Sequence, residues 1–161
     1  MIKEKFPFIE EVKPEKGEGW FIIPSDKLSG VCLAARDEFK FNCLSSLTGT
    51  DKGDYVDVVY HLYSYETKES IVLKVKTNPP NPPLEGGFEV PSVSKIWSSA
   101  EWMEREVYDL LGVKFSSHPD LRRIMMPEDW EGHPLKKDYK EPQEYRGMTT
   151  VRNSPPMSRR R

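Results

Sequence analysis

Two cysteines, Cys32 and Cys43, and three histidines are all that this chain of 161 residues offers as thiolate and imidazole metal ligands. The cysteines stand eleven apart without a CxxC pair, so no zinc or iron–sulfur pattern can be written from them. They read as free, reduced thiols. The common zinc spacings HExxH and HxxxH are missing too. No apolar run reaches the ~20 residues of a membrane helix. The start, "MIKEKFPF", lacks the apolar stretch of a signal peptide. The expectation is a soluble, intracellular protein, unless a partner holds it at a membrane. No GxSxG and no defensible Ser-His-Asp set appears, and "GTDKGD" (49–54) is too loose for a phosphate loop. The net charge of −2 draws the chain to no polyanion as a whole.

Charge is present in quantity but unevenly placed. Residues 1–117 hold 14 Lys/Arg against 19 Asp/Glu, and residues 118–161 hold 10 against 7. An acidic body with a basic end suggests that the end meets something acidic.

The body reads as alternating elements. "EGWFIIP" (18–24) has the composition of a short strand stopped by Pro24. "SDKLSGVCLAARDE" (25–38) reads as a helix that Ser25 can cap, with Leu28, Val31, Cys32 and Ala35 on one face. Three strands follow. "FNCLSSL" (41–47) alternates Phe41, Cys43, Ser45 and Leu47. "YVDVVYHLYSY" (55–65) alternates Val56, Val58, Tyr60 and Leu62. "SIVLKVKT" (70–77) alternates Ile71, Leu73 and Val75, and should form a hairpin with the strand before it. Period-two patterning of this kind fits an antiparallel sheet covered on one side. "NPPNPPLEGG" (78–87) carries four prolines between 79 and 83 and reads as an extended crossing.

The clearest helix covers 99–111. Ser98 and Glu101 have capping-box spacing, Ala100, Met103, Val107, Leu110 and Leu111 form a stripe, and Gly112 suits the stop. After 117 regular structure should fade, and "VRNSPPMSRRR" (151–161) has the composition of a partner-dependent tail. The fold class is thus an α+β two-layer domain over 1–116. It has a mainly antiparallel sheet with helices on one face. A long irregular C-terminal extension occupies 117–161.

"HPDLRRIMMPEDWEGHPLKKDY" (118–139) is the densest stretch. It holds His118 and His133, each followed by proline, leucine and a basic pair. One reading is a metal-dependent hydrolase built from the two histidines and nearby carboxylates. The other is architecture, with ring nitrogens satisfying backbone groups. Glu104, Arg105, Glu106 and Asp109 lie on the preceding helix, where Glu106 and Asp109 share a face. They can act as an acid–base pair. The favoured reading is a structural ion-pair network with Arg122 and Arg123. Trp97, Trp102 and Trp130 suit an interface or core packing. Arg159, Arg160 and Arg161 could touch phosphate, but the interleaved carboxylates argue for a solvated basic end and against nucleic acid.

Taken together, W-x-S-A-x-W-x-E-R-E-x-Y-D-L-L-G-V-x-F (97–115), H-P-D-L-R-R-I (118–124) and P-x-D-W-E-G-H-P-L-x-K-D-Y (127–139) resemble the signature of the 30-kDa (C) subunit family of respiratory complex I. Ser98, Ser117, Met125 and Lys136 stand where that family's pattern has proline, glycine, leucine and arginine. The resemblance implies a peripheral-arm protein on the cytoplasmic or matrix side. It implies no cofactor in this chain, with FMN and iron–sulfur clusters in partner subunits. It also implies that the extension wraps along the large hydrogenase-like (D) subunit of an NADH-quinone oxidoreductase. Related complexes fed by ferredoxin or reduced coenzyme F420, and membrane-bound hydrogenases, fit the same resemblance. On this reading His118, Pro119, Asp120, Leu121, Trp130, His133, Pro134, Leu135, Lys137, Asp138 and Tyr139 form the partner interface. The two His-Pro repeats would be two docking turns along one partner.

Overall fold

Val56, Val58, Tyr60 and Leu62 alternate along one strand, and all four are fully buried. Around them the computed structural model describes residues 2–15, 17–77 and 88–150. Five strands make one sheet: β1 (Glu10–Val12), β2 (Trp20–Ile23), β3 (Cys43–Asp51), β4 (Val56–Tyr63) and β5 (Ser70–Lys76). Their spatial order is β1-β2-β5-β4-β3. The pairs β1–β2, β3–β4 and β4–β5 are antiparallel, as the alternation suggests. Strand β2 joins β5 in parallel, with Phe21 opposite Leu73 and Ile23 opposite Val75. A period of two says nothing about strand direction, so this join is a finding of the structure.

Among the described residues three α-helices accompany the sheet: α1 (Ile2–Lys5), α2 (Leu28–Asp37) and α3 (Ala100–Leu111). Leu28, Val31, Cys32 and Ala35 of α2 enter the same apolar cluster as the β4 side chains, together with Ala100, Val107 and Leu111 of α3. Burying a Val or Leu side chain contributes about 1.5–3 kcal/mol, so this shared cluster carries the body. The chain is an α+β fold.

Both expected helix caps are absent. Ser25 opens a 3-10 turn, Ser25–Lys27, and no side chain caps it. Helix α3 starts at Ala100 without a side-chain cap, and Ser99 Oγ turns instead to Leu44 O at 3.4 Å. The chain already runs through turns from Val93 onward, where Ala100 N–H meets Trp97 O and Glu101 N–H meets Ser98 O. Those carbonyls supply what a capping box would supply. The stop at Gly112 forms as expected, at φ 74°.

Strand β3 departs from its pattern. It extends to Asp51, and its register shifts between Leu44 and Ser46. The irregularity rotates the alternation, so Leu44 and Leu47 are buried while Ser45 is exposed. Two small pairs carry no readable period: β6 (Glu89–Pro91) parallel to β7 (Lys114–Ser116), and β8 (Glu144–Tyr145) antiparallel to β9 (Met148–Thr149). Arg146 and Gly147, both at positive φ, turn the latter hairpin. Segments 78–87 and 151–161 lie outside the described residues. No helix among the described residues is long and apolar enough to cross a membrane.

Candidate functional site

Asp109 is the hub of the region where α3 meets the extension. Its side chain has no solvent exposure. Oδ2 accepts three consecutive backbone N–H groups, from Ile124 (3.0 Å), Met125 (2.7 Å) and Met126 (2.9 Å). Oδ1 accepts Arg123 Nη1 at 3.0 Å, while Arg123 Nη2 reaches Gly132 O at 3.0 Å. Burial pushes this carboxyl up, yet the three N–H groups and the guanidinium together hold it below the usual aspartate range.

Glu104, five residues earlier, is equally sealed but differently served. It accepts Ser92 Oγ at 2.6 Å and Val93 N–H at 2.7 Å, and no guanidinium reaches it among the described residues. Burial therefore dominates and pushes its carboxyl up to about 7. Tyr60 and Cys32 share this interior, and burial raises both; Glu104 adds to the effect on Cys32, and Cys32 and then Glu104 add to that on Tyr60. Such a carboxyl could serve acid–base chemistry in an open cleft. Here its side chain has 0% exposure, so no substrate reaches it as the chain is folded.

The expected network is thus rearranged. Arg123 pairs with Asp109, but Arg122 is exposed and pairs with Asp120 at 2.8 Å. Arg105 is buried, donates Nε to Arg122 O at 3.2 Å, and lies 4.7 Å from the ring of Trp102. Glu106 is exposed and, among the described residues, makes no ion pair. The three-residue spacing does not bring Glu106 to Arg123, which pairs with Asp109.

Both histidines face the chain's own helix. His118 Nδ1 accepts Asp120 N–H at 3.0 Å, so Nε2 carries the proton and faces Glu101 O at 3.1 Å. His133 Nδ1 donates to Asp109 O at 2.8 Å. The two carbonyls are eight residues apart on one helix, about 12 Å along its axis, so the rings cannot share a metal ion. Among the described residues no group of three or more His, Cys, Asp or Glu could hold one. Each His-Pro repeat is thus attached to α3 through its ring. Gly112 makes the second attachment possible, since a Cβ there would stand 2.7 Å from His133 Cδ2. Ser117 lies at φ 63°, a left-handed position where the glycine of the resembled pattern is unstrained.

Asp51, which sequence reasoning passed over, is a second anchor. Its Oδ2 accepts Lys137 N–H at 2.8 Å and its Oδ1 accepts Gly53 N–H at 2.7 Å. Burial raises this carboxyl, but those N–H groups, with Lys136 and Lys137, bring it below the usual range. An Asp two residues before Gly was the only sequence signal, and it speaks of the local turn alone. Leu135 N–H adds a bond to Leu110 O at 2.9 Å.

Beyond these anchors the extension folds on itself. Trp130 Nε1 donates to Tyr139 OH at 3.0 Å, and Asp129 accepts Tyr145 OH and both Nε and Nη2 of Arg146. Trp97 belongs to the core, while Trp102 is 61% exposed. Of the expected interface residues, His118, Leu121, Trp130, His133, Pro134 and Tyr139 are at least half-buried. Pro119, Asp120, Leu135, Lys137 and Asp138 are exposed.

Helix α3 and the extension as far as residue 145 fall inside the stretch matched by a family model. Residues 21–145 match the family model described as "Respiratory-chain NADH dehydrogenase, 30 Kd subunit". The NADH-quinone oxidoreductase C subunit of Geotalea uraniireducens is 40% identical over 142 residues, covering 86% of this chain and 83% of that protein. The NADH-quinone oxidoreductase C/D subunit of Phocaeicola vulgatus is 46% identical over 120 residues, covering 74% of this chain and 22% of its own longer chain. A chain in the structure of an archaeal respiratory membrane complex, the membrane-bound sulfane sulfur reductase, superposes with a TM-score of 0.71 at 25% identity, covering 86% of this chain and 81% of that one. With the family model matching most of its length, this chain belongs to the 30-kDa subunit family of respiratory-chain NADH dehydrogenase.

Proposed function

We propose that this chain is a non-catalytic peripheral-arm component of a proton-translocating NADH-quinone oxidoreductase. It supports the large quinone-site (D) subunit from the cytoplasmic face of the membrane. The observation that carries the reading is the extension held on α3 by its own backbone. Asp109 and Asp51 bind N–H groups of residues 124–126 and 137, which leaves Pro119, Asp120, Leu135 and Asp138 facing outward. A segment fixed in place before it meets a partner loses less freedom on docking. The fused C/D relative supports the large subunit as a neighbour, because one polypeptide joins the two. On this reading FMN and iron–sulfur clusters belong to the partner subunits, and this chain holds none.

Affinity purification of the full chain from gently solubilised membranes tests this. The large quinone-site subunit, iron–sulfur subunits and NADH-driven quinone reduction should travel with it. A chain that purifies without iron–sulfur subunits overturns the reading. The archaeal structural neighbour favours a second reading, the equivalent component of a related complex with another electron donor. Recovery of the same partners without NADH oxidation, and with ferredoxin, F420 or hydrogen as donor, would select it.

A further inference from the structure

Strand β3 is an edge of the sheet: β4 pairs with one side, and among the described residues no strand pairs with the other. Lys52 N–H donates to Tyr55 O, which fixes the phase of the ladder. Antiparallel pairs alternate between bonded and non-bonded positions. Counting back from Lys52, Thr50, Thr48 and Ser46 turn their backbone groups toward β4. Gly49 and Leu47 turn theirs to the open side.

Natural edges are blocked by charge, proline or a bulge. From Ser46 to Thr50 this edge has none of them, since the irregularity ends at Ser46. Beside it lies a groove of about 380 Å³, floored by Leu47 and Gly49 and walled by Met103, Leu110 and Leu135. Leu135 is 59% exposed, and Glu106 is the one charged residue lining the groove. Gly49 leaves the groove open where a side chain would not fit, because a Cβ there would clash with Leu111 Cδ1 and stand 3.1 Å from Val107 Cγ1.

We propose that an extended strand of a partner polypeptide adds to β3 at this groove. It would bond the backbone groups of Leu47 and Gly49, lay apolar side chains on Met103, Leu110 and Leu135, and set a lysine or arginine beside Glu106. The unpaired backbone row calls for an extended chain with free N–H groups. The lone carboxylate calls for a cation. The chain's own remaining segments are poor occupants. Residues 78–87 and 151–161 each carry adjacent prolines, which remove the donors a ladder needs. A second copy would bring another Glu106 in place of a cation. The proposal rests on the reading that the chain works inside a larger complex.

The deciding experiment is residue-resolved amide exchange on the purified complex. The Leu47 and Gly49 amides should exchange about a hundredfold or more slower than unpaired amides, like Thr48 and Thr50. Glu106→Lys should return Leu47 and Gly49 to fast exchange while Thr48 and Thr50 stay protected. A benzophenone side chain in place of Leu135 then identifies the occupant, and a photo-link to another protein of the complex supports the proposal. Fast exchange at Leu47 and Gly49 in the unsubstituted complex overturns it. So does a link to residues 151–161 of this chain or to a second copy. A complex that never contains the chain refutes the functional reading instead, so the two failures are distinguishable.

Discussion

The body before residue 117 and the extension after it are held by different forces. Every buried hydrophobic side chain among the described residues lies in the body, and the last of them is Phe115. The described part of the extension has no such side chain. It is kept in place by two buried aspartates that bind its main chain, by two histidine rings on α3, and by Arg123. Apolar burial is non-directional and spreads over many contacts. Hydrogen bonds to a sealed carboxylate are few, directional and charged. The body should therefore tolerate the loss of any one contact, and the extension should not.

Asp109→Ala breaks this contrast most severely. It strips Arg123 and three N–H groups of their acceptor, and loss of one partner of a buried pair costs roughly 3–5 kcal/mol. Trypsin should cut after Arg122 and Arg123 while β4 amides stay protected from exchange. Equal loss of protection in β4 would erase the distinction between the two regions.

Acidity separates the regions next. The folded-state carboxyl of Glu104 is raised from 4.5 to about 7. Its stabilising contribution is full below about pH 4.5 and is lost as pH rises through about 7, roughly 3 kcal/mol over the window. Asp109 and Asp51 are lowered, so theirs is full above the usual aspartate range and is lost as pH falls through the folded-state values. Urea midpoints of the body should fall between pH 5 and 8, and Glu104→Gln should flatten that fall. Acid should release the extension while the body holds. A Glu104→Gln profile parallel to the parent's would refute the assignment.

Asp51→Ala should come third, with about 1–3 kcal/mol lost for an unsatisfied buried N–H. Its mark is faster exchange at the Lys137 amide with Met125 unchanged, and faster exchange at both would mean the two anchors act as one. Arg122→Ala should be smallest, within about 0.5 kcal/mol, because its side chain is 66% exposed. A thermal midpoint shifted as far as by Arg123→Ala would contradict that ranking.

Much of the body was legible because its period is local. Strand β4 and helix α3 announce themselves within a dozen residues, and their buried positions follow from spacing alone. Strand β3 misled because one extra residue near Ser45 shifts the phase, and nothing in "CLSSL" marks it. The pairs β6–β7 and β8–β9 are too short for any period. At the site, the proximity of Asp109 to an arginine pair was readable. Its principal partners were not, since backbone N–H groups look alike in every sequence. The same holds for Asp51, whose partner Lys137 lies 86 residues away.

Asp109 grips the main chain of Ile124, Met125 and Met126 and leaves their side chains out of the grip. Met125, 59% exposed, thus rides on a seat that does not depend on what it is. Position 125 is accordingly a place where surface chemistry can be rewritten without moving the chain. A label, an affinity handle or a new contact grafted there would be delivered at a fixed address.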